Sequence, residues 1–266
     1  MTALAAYQGK VDAEPDFAKK SSLGKRLFSA ANKKGSPVFD AVKLKLKEMC
    51  SGAQRCVYCE DSYADEVEHI YPKSLYPEHC FSWDNYIYVC GQCNVAKNNN
   101  FAVFRDDTGL FEKVNPKPGT VISRPPPGIA VLINPRTEDA MDYLFLDLGG
   151  TFEFVNLADE GTIEYDRADY TLNTILGLND SGHGEALRIQ RRNYYGSYSA
   201  RLAQYNSQKE KDASDPDLKK LITELQGESH PTVWKEIQRH FKLGLLEQIN
   251  KELNNLFLAS PEALTW

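Results

Sequence analysis

The sequence has no long hydrophobic run. Its first thirty residues lack the continuous apolar core of a secretory leader, and no segment approaches the roughly 20 apolar residues of a membrane span. These absences predict a cytoplasmic protein with no membrane contact. A general excess of basic residues is missing too. With 31 Lys and Arg against 37 Asp and Glu, the net charge is −6, which excludes a globally basic nucleic-acid binder. Disulfides are not expected in a reducing compartment, so the six cysteines need another explanation. No internal repeat is visible.

Charge is present, but unevenly. Residues 1–55 hold 11 Lys and Arg against 5 acids, so this head carries a surplus of 6 while the remainder carries a deficit of 12. Such a head reads either as a local footprint for a polyanion or as a solvated helix surface. Patterning divides the chain into four stretches and predicts an α+β, mostly helical fold. Residues 1–50 read as basic and helical, with Val38, Phe39, Val42, Leu46 and Met49 at helical steps. Residues 51–110 hold the motifs. Residues 111–168 combine a Pro-rich connector (Val114–Gly128) with a β-hairpin in "YLFLDLGGTFEFV". Residues 169–266 are helical, a possible partner-docking region. One stripe there runs through Leu187, Tyr194, Tyr198, Leu202 and Tyr205. Another runs from Trp234 through Ile237, Phe241, Leu245, Ile249 and Leu253 to Leu256, with a charged loop (Gln208–Lys220) between them. Such stripes are usually core.

Four cysteines form two C-x-x-C pairs, Cys56/Cys59 and Cys90/Cys93. Four thiolates complete the closed tetrahedral set of a structural Zn2+ site and leave no position for a reactive water. A thioredoxin-like redox pair fits poorly, because there are two pairs and no βαβ context. Cys50 and Cys80 read as small buried residues. Chemistry must then lie between the pairs. "DEVEHIYPK" and "NYIYVCG" read as strands and "CGQCNVAKNNN" as a knuckle entering a helix, a ββα unit pinned by zinc. His69 is suited to take a proton from water. Glu68 and Asn94 offer hard oxygens for Mg2+ or Mn2+. Asn85 is placed to hold the loop and so fix His69. One conflict stands: neighbours on a regular strand point to opposite faces, so Glu68 and His69 share a site only at a strand end, twist or bulge.

These residues resemble the HNH nucleases, the zinc-knuckle branch of the ββα-metal class. The matching points are Cys56, Cys59, Glu68-His69-Ile70-Tyr71-Pro72-Lys73, Trp83-Asp84-Asn85, Cys90, Cys93, Asn94 and Lys97. The departures are Glu68 where the family often has Asp, and Asn94 at the last "H". The resemblance implies metal-assisted phosphodiester hydrolysis. His69 is then the general base, Glu68 and Asn94 hold Mg2+, Asn85 orients the site and Lys97 contacts a phosphate. It implies a nucleic-acid substrate, DNA in the first place and RNA as the alternative. More loosely, "LINPRTEDAMDYLFLDLGGTFEF" and "ADYTLNTILGLNDSGHGEALRIQRR" are similar to the HNH proteins of the bacterial Septu and retron anti-phage systems, the PtuB-like type. That likeness implies a defence nuclease beside an ATPase partner. Rival readings are a non-catalytic zinc-stabilised nucleic-acid-binding module and a partner-docking subunit. His79 reads as a surface loop residue, with contact to substrate or metal as the alternative, and His230 as a structural residue at a helix start. Arg188, Arg191 and Arg192 read as a basic cluster, either solvated or facing phosphates.

Overall fold

The computed structural model describes residues 2–50, 52–115 and 119–266, so residues 116–118 of the Pro-rich connector lie outside the described residues. The N-terminal stretch folds into three helices: α1 (Thr2–Asp12), α2 (Phe17–Ala31) and α3 (Pro37–Glu48). Asp16 caps α2 by accepting from the amide of Lys19, and Pro37 opens α3 where no amide donor is needed. Phe39, Val42 and Leu46 of α3 are buried, as the helical spacing predicts, whereas Met49 lies beyond the helix and is exposed. The fully buried positions of α2 are Ser21, Gly24, Phe28 and Ala31. Phe28 is the one large side chain among them, worth roughly 2–3 kcal/mol, and half-buried Leu27 packs on the same cluster.

The motif region is a ββα unit. β1 (Glu66–His69) pairs antiparallel with β2 (Tyr86–Val89), and α4 (Gly91–Lys97) follows the second cysteine knuckle. The register is regular: Glu68 faces Ile87 and His69 faces Tyr86 across the ladder. Val67, Tyr86 and Tyr88 pack in one cluster with the N-terminal helices. Ile87 and Val89 pack in a second cluster with the cysteines.

A three-stranded antiparallel sheet follows, ordered β4-β3-β5 from β3 (Ala102–Arg105), β4 (Phe111–Lys113) and β5 (Gly128–Ala130). Sequence patterning misses it, because strands of three or four residues carry too little alternation. The expected hairpin is present as β6 (Leu144–Leu146) and β7 (Phe154–Asn156). α5 (Ile163–Asp169) runs into one wide π-helical segment, Tyr170–Ile175.

The C-terminal region is helical: α6 (His183–Lys209), α7 (Asp215–Gln226), α8 (Pro231–Lys242), α9 (Leu246–Ile249) and α10 (Lys251–Ala259). The expected charged loop shrinks to a short turn, since Asp215–Lys220 already belongs to α7. Gly244, at φ 70°, and the Asn250 cap break the second stripe into three pieces. Tyr198, Leu202, Trp234, Ile237, Leu253 and Phe257 form the third core cluster. The expected basic cluster divides: Arg191 is buried, Arg188 is half-buried and Arg192 is exposed. Arg191 is 1 % exposed, donates to the carbonyls of Phe152 and Leu178, and stacks on Phe154. Arg188 bonds Asn179 and pairs with Glu153, and Arg192 lies over Phe152. All three reach the loop between β6 and β7, through Phe152, Glu153 and Gly150.

The lead-in to the first knuckle is fastened to the α7–α8 junction. A Cβ at Gly52 would meet the Gly227 carbonyl oxygen at 2.5 Å. Arg55 donates to the carbonyls of Gly227 and Glu228, and Glu60 accepts from the Thr232 amide. His230 caps α8 in a left-handed conformation, φ 55°, and its Nε2 lies 3.3 Å from Asp61. Among the described residues, no helix is long and apolar enough to cross a membrane.

Candidate active site

Two short turns bring the cysteines together. The Cys56 amide donates to the Ser62 carbonyl, and Glu60 closes the knuckle at φ 58°. The second knuckle sits at the start of α4. The sulfurs of Cys56, Cys59, Cys90 and Cys93 all lie within 4.8 Å of one another and are buried. Thiolates about 2.3 Å from one tetrahedral ion stand roughly 3.8 Å apart, so the cluster fits Zn2+. Within the cluster, hydrogen bonding to Cys56 draws Cys90 down to about 6 and Cys59 further below the thiol range. The same exchange, with Cys59 as the largest cause, pushes Cys56 up. Four sulfurs this close cannot all ionise without a cation, which is the chemical case for a bound ion.

His69 ends β1 on the face that meets the N-terminal helices. Its Nε2 lies 2.9 Å from the carbonyl of Cys80. A carbonyl only accepts, so Nε2 carries the proton and Nδ1 holds the lone pair. Nδ1 is buried and has no partner among the described residues. The ring lies edge-on between Phe28 (4.5 Å) and Tyr86 (5.2 Å) and is 1 % exposed. Burial holds its pKa well below the ordinary histidine value, and the nearby charge of Lys73 acts in the same direction. The imidazole is therefore a neutral base of fixed tautomer.

Asn85 holds the loop that presents the Cys80 carbonyl. Its Oδ1 accepts from the Tyr71 amide, and its Nδ2 donates to the carbonyls of Tyr71 and His79. Tyr86 donates its hydroxyl to the same Cys80 carbonyl. His79 itself is an exposed residue on a short 3-10 turn.

The other face of β1 carries Glu66 and Glu68 and packs on α4. Lys97 is fully buried; its Nζ lies 2.9 Å from Glu68 Oε1 and 2.7 Å from the His69 carbonyl. Burial lowers the Lys97 pKa, and the Glu68 carboxylate works against that. Lys97 thus clamps strand to helix and is not on the surface. Asn94 reaches Glu66 by a short hydrogen bond through Nδ2. The structure does not bring the predicted residues to one point: Glu68 meets Lys97, Asn94 meets Glu66, and His69 lies across the strand. With no bulge in β1, the period of two separates Glu68 from His69. Sequence reasoning missed Glu66, which shares the Glu68 face by that same period, and it missed Phe28, for which no local signal exists. Glu66, Glu68 and Asn94 offer hard oxygens of the kind Mg2+ or Mn2+ takes, but here Lys97 holds Glu68 and Asn94 holds Glu66.

Residues 56–100 match the HNH endonuclease family. A Septu protein PtuB of Bacillus thuringiensis is 39 % identical over 64 residues, covering 22 % of this chain and 24 % of that protein. Another Septu protein PtuB, of Bacillus mycoides (strain KBAB4), is 26 % identical over 140 residues, covering 46 % of this chain and 44 % of its own length. The chain thus spans less than half the length of these relatives. No solved structure matches it.

Proposed function

We propose that this protein, whose residues 56–100 match the HNH endonuclease family, is a metal-dependent endonuclease that hydrolyses nucleic-acid phosphodiester bonds, DNA in the first place. We place it as the nuclease of a bacterial anti-phage system, acting beside an ATPase subunit. The carrying observation is His69: one nitrogen is fixed as a donor to the Cys80 carbonyl, and the other is left as an unpartnered lone pair. That is the arrangement a general base needs. In this reading Nδ1 takes the proton from the water that attacks phosphorus, and the Cys80 carbonyl steadies the imidazolium formed. Asn85 holds that carbonyl in place. Glu68, Asn94 and Glu66 are the residues that would hold Mg2+ or Mn2+. When bound, that ion supplies charge stabilisation at the phosphorus and the leaving oxygen. The four cysteines would hold Zn2+, which would tie the first knuckle to the start of α4.

The defence role rests on the likeness to the two Septu proteins. Contact with a polyanion is supported by α2. Lys19, Ser22, Arg26 and Ser29 form its exposed face, Lys33 and Lys34 follow it, and among the described residues none of these four cations is in an ion pair. The test is cleavage of supercoiled plasmid by wild type and His69→Ala, with Mg2+ or Mn2+ and with EDTA. Zinc content is checked in both, and the ATPase subunit is included. Metal-dependent cutting that vanishes in His69→Ala with zinc retained supports the reading. Equal cutting by both proteins removes His69 from its role.

A further inference from the structure

We propose that α2 is a cover over His69, opened when a nucleic-acid phosphate backbone takes hold of the helix's outer face. The proposal rests on the nuclease reading for its purpose but on geometry for its content. A base that is 1 % exposed, with its free nitrogen sealed, cannot receive a proton from a water attacking a substrate. Two rings seal it. Tyr86 belongs to β2 and is anchored through its hydroxyl to the Cys80 carbonyl, so it is part of the site. Phe28 belongs to α2, outside the HNH domain, and is the part that can leave.

The seat of α2 suits a detachable element. Besides Phe28, which also packs on Phe39 and Phe81, its buried positions are serine, glycine and alanine, with Leu27 half-buried on the same core. Ser21 Oγ donates to the Ser74 carbonyl at 2.8 Å, and Gly24 lies against Cys80. The Lys73 ammonium sits 5.3 Å over the Phe28 ring. A cation held on a ring face is held weakly compared with one paired to a phosphate. An arriving backbone therefore competes for Lys73 from inside while Lys19, Arg26 and Lys33 engage it from outside. One helix, with the turn that follows it, thus carries the polyanion-facing charge and the ring that hides the base. Docking and uncovering become a single motion, and an unoccupied enzyme stays silent.

The contact at Gly24 provides the test. A Cβ there would lie 3.6 Å from Cys80 Cβ and 3.4 Å from its Sγ, within the range of about 3.5–4.5 Å between disulfide Cβ atoms. Gly24→Cys can therefore be oxidised onto Cys80 to lock the cover shut. Wild type treated identically controls for the zinc thiolates, and Gly24→Ser controls for crowding. Carbethoxylation of His69 is read by peptide mass spectrometry, with exposed His79 as the internal reference. In the reduced variant, heparin as a polyanion probe should raise His69 labelling several-fold. Oxidation should lower that labelling at least tenfold, and reductant should restore it. Lys19→Glu/Arg26→Glu/Lys33→Glu should abolish the heparin response. Plasmid cleavage should fall at least tenfold on locking and return on reduction. His69 labelling that ignores the lock or heparin overturns the cover, whatever the cleavage result. Loss of all cleavage in wild type, with labelling still gated by the lock, overturns the nuclease reading and leaves the cover standing.

Discussion

A neutral, buried imidazole makes this protein sensitive to acid in a way that isolates one residue. In the unfolded chain His69 protonates near its ordinary value of about 6.5. In the folded chain burial holds its pKa well below that. As pH falls through 6.5 the unfolded state takes up a proton that the native state refuses, so stability falls. Urea unfolding at pH 7.5 and 5.5 should show wild type losing about 1 kcal/mol more than His69→Gln. Equal losses would mean that His69 is not held neutral. Asn85 offers a second test at this scale. Asn85→Ala orphans the Tyr71 amide and releases two carbonyls. Thermal unfolding should report a loss of about 2–3 kcal/mol with zinc content unchanged.

Among elements, the β1–α4 contact depends on the Glu68–Lys97 pair. Lys97→Met leaves a buried carboxylate with no counter-charge, a loss of about 3–5 kcal/mol. Adding Glu68→Leu should recover much of it, because the unpaired charge is then gone. If the double variant is no more stable than the single one, the clamp is not electrostatic. On α2, reversing Lys19, Arg26 and Lys33 should weaken duplex binding and flatten its salt dependence by about 2–3 in the log–log slope.

The sequence reveals local elements better than the contacts between distant ones. The paired cysteines made the four-sulfur cluster legible, because metal geometry demands four sulfurs at knuckle spacing. Val67, Ile70 and Tyr71 before Pro72 made β1 legible, though the strand stops at His69. Gly149-Gly150 between two apolar runs marked the β6–β7 hairpin. The burial of Lys97, the Phe28 ring on His69 and the Arg191 brace were not legible. Each depends on which distant element arrives, and a lone Lys, Phe or Arg has no periodicity to betray it. The β4-β3-β5 sheet was missed for its short strands, and α7 because its composition is as polar as a loop.

For the whole molecule, three core clusters share the load unequally. The zinc cysteines belong to one, the N-terminal helices to a second and the C-terminal helices to a third. Removing zinc with a chelator should disorder the first cluster while much of the C-terminal helix survives. Circular dichroism should then show partial helix loss, against an all-or-none collapse if the clusters melt together.

The backbone contact of Gly52 with Gly227 bears on where the chain can be divided. The first knuckle takes its footing from the junction of α7 and α8: the Arg55 guanidinium rests on two carbonyls there, and the Glu60 carboxylate receives an amide of α8. A fragment trimmed to residues 51–110 would carry all four paired cysteines and every motif residue, yet it would lose that footing and expose the entry to the cysteine cluster.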